Sequence, residues 1–404
     1  MKELVVPFRG ERYRESKRLS RLIAPPYDVI DAAARARFAA LDAHNIVHVM
    51  LPEAPPAGDR YAWAGEQLAA WREGGVLVRD MEPAAYVMAQ GDRLGVFVAL
   101  AAEGYGPRRV RPHEKTHAGP KADRLALLRA TRTNLESLFL LAPDPDRALE
   151  QALAEVALRP PDATAEMDGV AIRLWRVTGE EAFRLTAHGA QRPLYMADGH
   201  HRYETASAYA VENPAADRVL AFVASARDPG LVVLPTHRLI HGAGRRVDAV
   251  VPAWRTLFDL APVPPGVDPV AYLRQLGRDR TACLVASPDG DQLGLALKPD
   301  ARLDDFPDLG ASAAVRALDV ARVETLVVKP LLRADASTPT LAYTADAREA
   351  LESARRGAST AVLLNPTRVE QVFAVADASD VMPPKSTYFA PKVPSGLVLR
   401  PCEG

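Results

Sequence analysis

The sequence predicts an α+β fold built on a mixed sheet, and three observations carry that prediction. Apolar runs of strand length, such as 96–102 and 219–224, alternate with stretches of helical spacing along the chain. No internal repeat or low-complexity tract interrupts that alternation, and 404 residues are enough for two domains. The two cysteines, Cys283 and Cys402, lie far apart without zinc or redox spacing, so packing must organise the chain.

The elements follow in order. Two prolines fix an extended course over 24–28, where Asp28 can cap what comes next. Residues 31–41 are Ala-rich with helical spacing, 46–51 read as a strand, and 61–71 as a helix stopped by Gly74-Gly75. Residues 86–90 and 94–101 form a hairpin about Gly91-Asp92. Beyond the polar loop 110–117, Leu125 and Leu128 mark the buried face of a helix over 121–132. A strand (137–141), a helix (148–158) and a half-wet strand (170–177) precede the strand 193–197. Strands 219–224 and 231–234 follow the helix that begins at His200.

The Gly- and Arg-rich stretch 242–246 predicts a boundary between an N-terminal α/β domain, 1–243, and a C-terminal one, 244–404. In the latter, helices at about 248, 272–276 and 345–356 alternate with strands 283–286, 293–297 and 359–364. The Pro- and Lys-rich stretch 382–394 has little periodicity and is expected to fold back on the functional site.

The densest chemistry is Asp198-Gly199-His200-His201-Arg202. A buried strand end, a turn with Gly-type backbone freedom and a helix start place two imidazoles and a guanidinium in one helical turn. Free N–H groups and the helix dipole favour an anion there, and Arg202 adds a forked donor suited to phosphate. Adjacent histidines point roughly 100° apart on a helix, so one metal ion shared by both is awkward. The spacing is neither a P-loop nor a dinucleotide fingerprint.

A net charge of −1 supplies no basic field for nucleic acid, which argues against that partner. No apolar run approaches the roughly 20 residues that span a bilayer, and the first residues do not form a secretory signal. The expectation is a cytoplasmic protein without membrane contact, with a homodimer as the assembly to test. Only eight lysines occur, and four of them (Lys115, Lys121, Lys385 and Lys392) fall in the polar motifs on either side of the histidine stretch. Lysine is a compact mobile charge suited to phosphate.

Asp-Gly-His-His-Arg before a helix resembles the signature of the ParB/sulfiredoxin superfamily, whose equivalent loop grips nucleotide phosphates. Chain-wide motifs resemble the DUF1015 family. They are Pro7-Phe8-Arg9-Gly10, Ala24-Pro25-Pro26-Tyr27-Asp28, Pro112-His113-Glu114-Lys115-Thr116 and Lys121-Ala122-Asp123-Arg124. Leu234-Pro235-Thr236-His237-Arg238, Asn365-Pro366-Thr367 and Met382-Pro383-Pro384-Lys385-Ser386-Thr387-Tyr388-Phe389 continue the resemblance. It implies a ParB/sulfiredoxin-like nucleotide-binding core with a second α/β domain. Superfamily members include free-serine kinases using ADP or ATP, CTP-dependent DNA clamps, and sulfiredoxins with a Cys before the His-Arg pair. His200 stands in that cysteine's place, so sulfinic-acid repair is excluded.

The implied function is nucleotide-dependent phosphoryl transfer to the hydroxyl of a small polar metabolite, free L-serine by superfamily analogy, with ATP or ADP and Mg²⁺. The alternative is a ParB-like CTP or ATP switch or hydrolase that binds a partner or DNA. Glu114 is the first choice for general base and Asp28 the second. Glu114 could instead pair with Lys115 or Arg111 at the surface. Asp198 and His200 are the other catalytic candidates; Asp198 could hold Mg²⁺ or simply cap the turn. Gly199, His201, Arg202, Lys115, Lys121, His237 and Arg238 are the expected phosphate ligands. Tyr27, Asp28, His113, Lys385 and Ser386 are the expected substrate contacts.

Overall fold

The computed structural model describes residues 2–53, 58–190, 193–242, 246–333 and 339–403. Contacts divide the chain into two units: residues 1–112, 116–232 and 391–404, and residues 113–115 and 233–390. This partition differs from a split at 243/244, because 233–242 group with the second unit and the segment from Pro391 returns to the first. Residues 243–245 of the expected boundary lie outside the described residues.

The first unit is built on a mixed sheet. Its strands are β1 (Val5–Val6), β2 (Ala84–Gln90), β3 (Arg93–Ala101), β4 (Val110–Arg111), β5 (Leu138–Ala142), β6 (Ala163–Met167), β7 (Val170–Thr178), β8 (Leu194–Asp198) and β9 (Arg218–Ser225). Their order is β4-β8-β5-β9-β3-β2-β7-β6, with β1 pairing β3. The β8–β4 and β9–β5 pairs are parallel, whereas hairpins such as β2–β3 are antiparallel. Strands β2 and β5 are buried at every position, as expected of central strands without a wet face.

Helices α1 (Ala32–Leu41), α2 (Arg60–Glu73), α3 (Ala118–Thr131), α4 (Ala148–Ala157), α5 (Gly179–Ala190) and α6 (His200–Glu212) accompany this sheet. Asp31, and not the expected Asp28, caps α1 by accepting the Ala34 N–H at 2.7 Å; Asp28 lies three residues earlier, inside the short turn Tyr27–Val29. Residues 46–51 are not a strand: Val47–Met50 is a helical turn. Asn45 Oδ1 accepts the Val47 N–H at 2.9 Å, and its amide donates to the Arg21 and Ile23 carbonyls. A short apolar run buries equally well in either conformation, so periodicity could not choose; the Asn45 bonds select the turn.

The second unit has its own sheet of β10 (His237–His241), β11 (Phe258–Pro262), β12 (Ala282–Ala286), β13 (Gln292–Leu297), β14 (Thr340–Thr344) and β15 (Thr360–Leu364). The order is β11-β13-β12-β15-β10-β14, and every pair is antiparallel. Helices α7 (Arg246–Leu257), α8 (Pro269–Leu276), α9 (Ala347–Arg355) and α10 (Val369–Asp377) belong to it. Leu273, Leu284, Leu351 and Leu363 join one buried cluster there. Among the described residues, no helix is long and apolar enough to cross a membrane.

Gly95 on β3 shows how tightly the first sheet is packed. A Cβ there would lie 2.2 Å from Phe222 Cζ. The Phe222 ring is itself fixed between Phe97 and Phe139, with centroids 5.0 and 5.7 Å away. Gly95→Ala should therefore destabilise the protein by about 1–3 kcal/mol through overpacking. Urea unfolding checks this; an unchanged midpoint would mean that the ring can yield.

Candidate active site

Strand β8 ends at Asp198, and the chain turns at Gly199, φ 93°, into α6. That left-handed backbone favours glycine. A side chain would also meet Leu138 Cδ2 at 3.0 Å and the Arg202 guanidinium at 3.3 Å. Helix α6 buries Tyr203, Ala206 and Tyr209 on one face and stops at Asn213, ahead of Pro214. Its first-turn N–H groups have no intrahelical acceptors and, with the helix dipole, favour an anion.

Asp198 is clamped by two cations. Its Oδ2 accepts from Arg202 Nη2 at 2.9 Å, and Oδ1 lies 3.3 Å from Lys392 Nζ. Desolvation, the largest single influence, would raise the carboxyl pKa. Lys392, Arg202 and His200 together overrule it and hold Asp198 well below the carboxylate range. Arg202 Nη1 donates to the Ser137 carbonyl, and burial leaves its side chain 9 % exposed. The residue predicted to grip phosphate is thus occupied in positioning Asp198.

Asp28 behaves oppositely. Its side chain keeps contact with solvent, yet its carboxyl is desolvated enough to raise the pKa, and the charge of Asp198 raises it further. Arg202 and Lys392 pull the other way without prevailing. Beneath it, Glu136 Oε1 accepts the Tyr27 N–H at 2.8 Å, and Glu136 Oε2 lies 3.6 Å from Arg124 Nη1. Arg124 also stacks over the Tyr27 ring at 4.3 Å. Desolvation raises the Glu136 carboxyl, and Arg202 and Arg124 offset part of that rise. Burial pushes the Tyr27 hydroxyl up to about 12, so it remains a neutral donor.

A second polar group joins α3 to α6. Glu204 accepts from Thr116 Oγ1 at 2.7 Å and from Lys121 Nζ at 2.8 Å. His201 Nε2 accepts the His117 N–H at 2.9 Å. Desolvation, followed by His117, lowers the His201 pKa, so the ring is neutral with its proton on Nδ1. His200 is buried beside Asp198.

Other predicted site residues belong to the second unit. His113 Nε2 lies 3.1 Å from Thr387 Oγ1, and the Met382 N–H reaches the His113 carbonyl, joining two motifs distant in sequence. Glu114 is half-buried and Lys115 exposed in the same short segment. Lys385 is exposed with φ 54°, and Ser386 Oγ donates to the Pro383 carbonyl at 2.5 Å. His237 and Arg238 start β10 and do not form an exposed basic strand end. Arg238 is 1 % exposed and pairs with Glu324 at 3.2 Å, because a buried guanidinium requires an internal partner. Of the stretch 382–394, residues from Pro391 onward belong to the first unit, where Lys392 meets Asp198.

These donors do not make a resident Mg²⁺ site. Both Asp198 oxygens already face cations, and the described residues contain no group of three or more His, Cys, Asp or Glu that could hold a metal. Helix α6 runs into strand β9, so a helix-turn-helix does not follow the motif.

A model of the family described as "Protein of unknown function (DUF1015)" matches residues 5–321. The chain belongs to the DUF1015 family. No curated protein matches it. This DUF1015 chain is similar to a solved free serine kinase in complex with AMP, at 12% identity and TM-score 0.38, covering 75% of this chain and 88% of that one. It is also similar to SbnI with C-terminal truncation from Staphylococcus aureus, at 8% identity and TM-score 0.38, covering 74% and 84%. A conserved hypothetical protein from Pyrococcus furiosus gives 12% identity and TM-score 0.36, covering 74% and 93%. Likenesses this distant do not fix the chemistry of the DUF1015 chain, which rests on its own residues.

Sequence reasoning missed Glu136, whose neighbours Leu135 and Ser137 give it no motif. Lys392 had one signal, the scarcity of lysine. Because Asp198 has a depressed pKa, its contribution to stability is present above the ordinary value near 3.8 and is lost as the pH falls through the folded value. Lys392→Met should raise that pKa and cost about 1–3 kcal/mol at pH 7. The deficit should shrink only as the pH falls through the variant's raised folded value, where protonation of Asp198 removes its need for the second cation. Urea unfolding at several pH values checks this; a pH-independent deficit would assign Lys392 a packing role alone.

Proposed function

We propose that this protein is a nucleotide-dependent phosphotransferase that phosphorylates the hydroxyl of a small polar metabolite, with free L-serine as the first acceptor to test. The observation that carries this reading is Asp28, on the turn Tyr27–Val29, in the field of Asp198 at the end of β8, where two environments move two carboxyls in opposite directions. Such a split separates a residue that exchanges a proton from one that stays charged. The resemblance of the Asp198–Arg202 stretch to the nucleotide-gripping loop of the ParB/sulfiredoxin superfamily supports ATP or ADP as donor.

In this reading the terminal phosphoryl group lies against the N–H groups that follow Gly199, where the helix end stabilises negative charge. The acceptor hydroxyl gives its proton to the Asp28 carboxylate as its oxygen bonds to phosphorus. The bridging P–O bond breaks, and the shortened nucleotide leaves with that electron pair. Asp198 remains ionised between Arg202 and Lys392 and keeps both cations in place. Asp28 must be deprotonated to act, so the rate should fall as the pH drops through its raised pKa.

Phosphorus NMR with ATP or ADP, L-serine and a panel of hydroxy acids should show a phosphorylated product. Its absence with every pairing would overturn the proposal. Asp28→Asn should lower the transfer rate about 10²–10⁴-fold while the nucleotide still raises the melting temperature. An undiminished rate would remove Asp28 from the chemistry.

A further inference from the structure

Two segments singled out by the sequence and unused by that reaction, those at His237 and Asn365, meet in the second unit. His237, Asp319 and Asn365-Pro366 all line one cavity of about 1090 Å³. Five arginines border it, Arg274, Arg278, Arg280, Arg322 and Arg368, against two acids, Asp279 and Asp319. Arg280 is paired with Asp259 at 2.7 Å, which leaves the excess charge to the other four.

Arg322 is held rigidly. Its Nε donates to the Arg316 carbonyl at 2.8 Å and its Nη1 to Thr281 Oγ1 at 2.9 Å. The Thr281 hydroxyl in turn donates to Asp319 Oδ1 at 2.6 Å. Nη2 has no protein acceptor among the described residues, so one arm of a fixed fork remains for a ligand oxygen.

His237 supplies a second fixed donor. It is 3 % exposed, and its Nδ1 accepts the Leu364 N–H at 3.2 Å. The neutral ring therefore carries its proton on Nε2. Desolvation, with Arg238 adding to it, pushes the pKa down to about 4, which keeps that ring neutral. Arg274, Arg278 and Arg368 are exposed charges around the rim. Leu234, Leu273 and Pro366 contribute apolar surface for an organic body.

We infer that this cavity is a second ligand site, distinct from the nucleotide site, which takes a small organic oxyanion bearing phosphate or carboxylate groups at Arg322 and His237. The rim arginines draw the anion in, and the Thr281–Asp319 network keeps the Arg322 fork preorganised. The site's volume is in the range of metabolite pockets with a few fixed polar groups.

Isothermal titration of the full chain tests this, with pyrophosphate in one arm and citrate in the other, so that phosphate and carboxylate chemistry are told apart. At least one anion should bind and should lose tenfold or more in affinity in Arg322→Gln. In the rim double variant Arg274→Gln/Arg368→Gln it should lose at least threefold. Gly199→Ala, which alters the proposed nucleotide site in the first unit, should leave this binding intact; loss of binding in a folded Gly199→Ala would place the anion in the nucleotide site and overturn the inference. Failure of both anions to bind, or equal affinity in Arg322→Gln, overturns the inference. If Arg322→Gln does not fold, the rim variant decides, since its side chains are exposed. Unchanged affinity there would equally overturn it.

Discussion

Desolvation of the half-buried Asp198 carboxylate is the constraint on which the rest of the first unit's site depends. A carboxylate removed from water costs several kcal/mol unless cations and hydrogen bonds compensate. Here Arg202 comes from one helical turn further on and Lys392 from the returning C-terminal segment. Arg202 reaches back because Gly199 sets α6 directly over the end of β8. The same guanidinium also donates to the Ser137 carbonyl, beside the start of β5. One half-buried charge thus ties together two strands, a helix start and the C-terminal segment.

That arrangement determines what is left to bind a ligand. Arg202 suits phosphate by type, but its fork is turned inward and its role is positional. The helix start still presents backbone N–H groups, which require no particular side chain beyond the glycine before them. Asp28 then titrates in the field of a neighbour that cannot be neutralised by its own protonation near pH 7. Its raised pKa follows from desolvation and from Asp198, while Arg202 and Lys392 limit the rise. A carboxylate more basic than a free one is what hydroxyl activation requires.

Legibility in the sequence tracked how local each determinant is. The β2–β3 hairpin and the Gly199 turn are encoded within a few residues, and these elements lie where the pattern places them. The turn at 47–50 was not legible, since Asn45 decides it by bonds to carbonyls more than twenty residues earlier. Likewise Arg202 could not be read as a clamp, because its acceptor at Ser137 and the second cation on Asp198 come from distant segments. Glu136 is the extreme case: its Tyr27 contact spans 109 positions and leaves no mark on its neighbours.

Arginine is the least informative residue type in this chain, for a physical reason. Arg93 is fully buried, bonds the Gln90 side chain and the Pro391 carbonyl, and stacks over Phe139. Arg238 and Arg124 are buried against Glu324 and Glu136. A planar fork satisfied by carbonyls and ring faces serves as a packing element, so its presence in a motif does not mark a ligand site. The carboxylates discriminate better. A desolvated acid must either find cations or become more basic, and Asp198 and Asp28 take those two courses. Following the anions locates the chemistry, and the cations then fall into place as their partners.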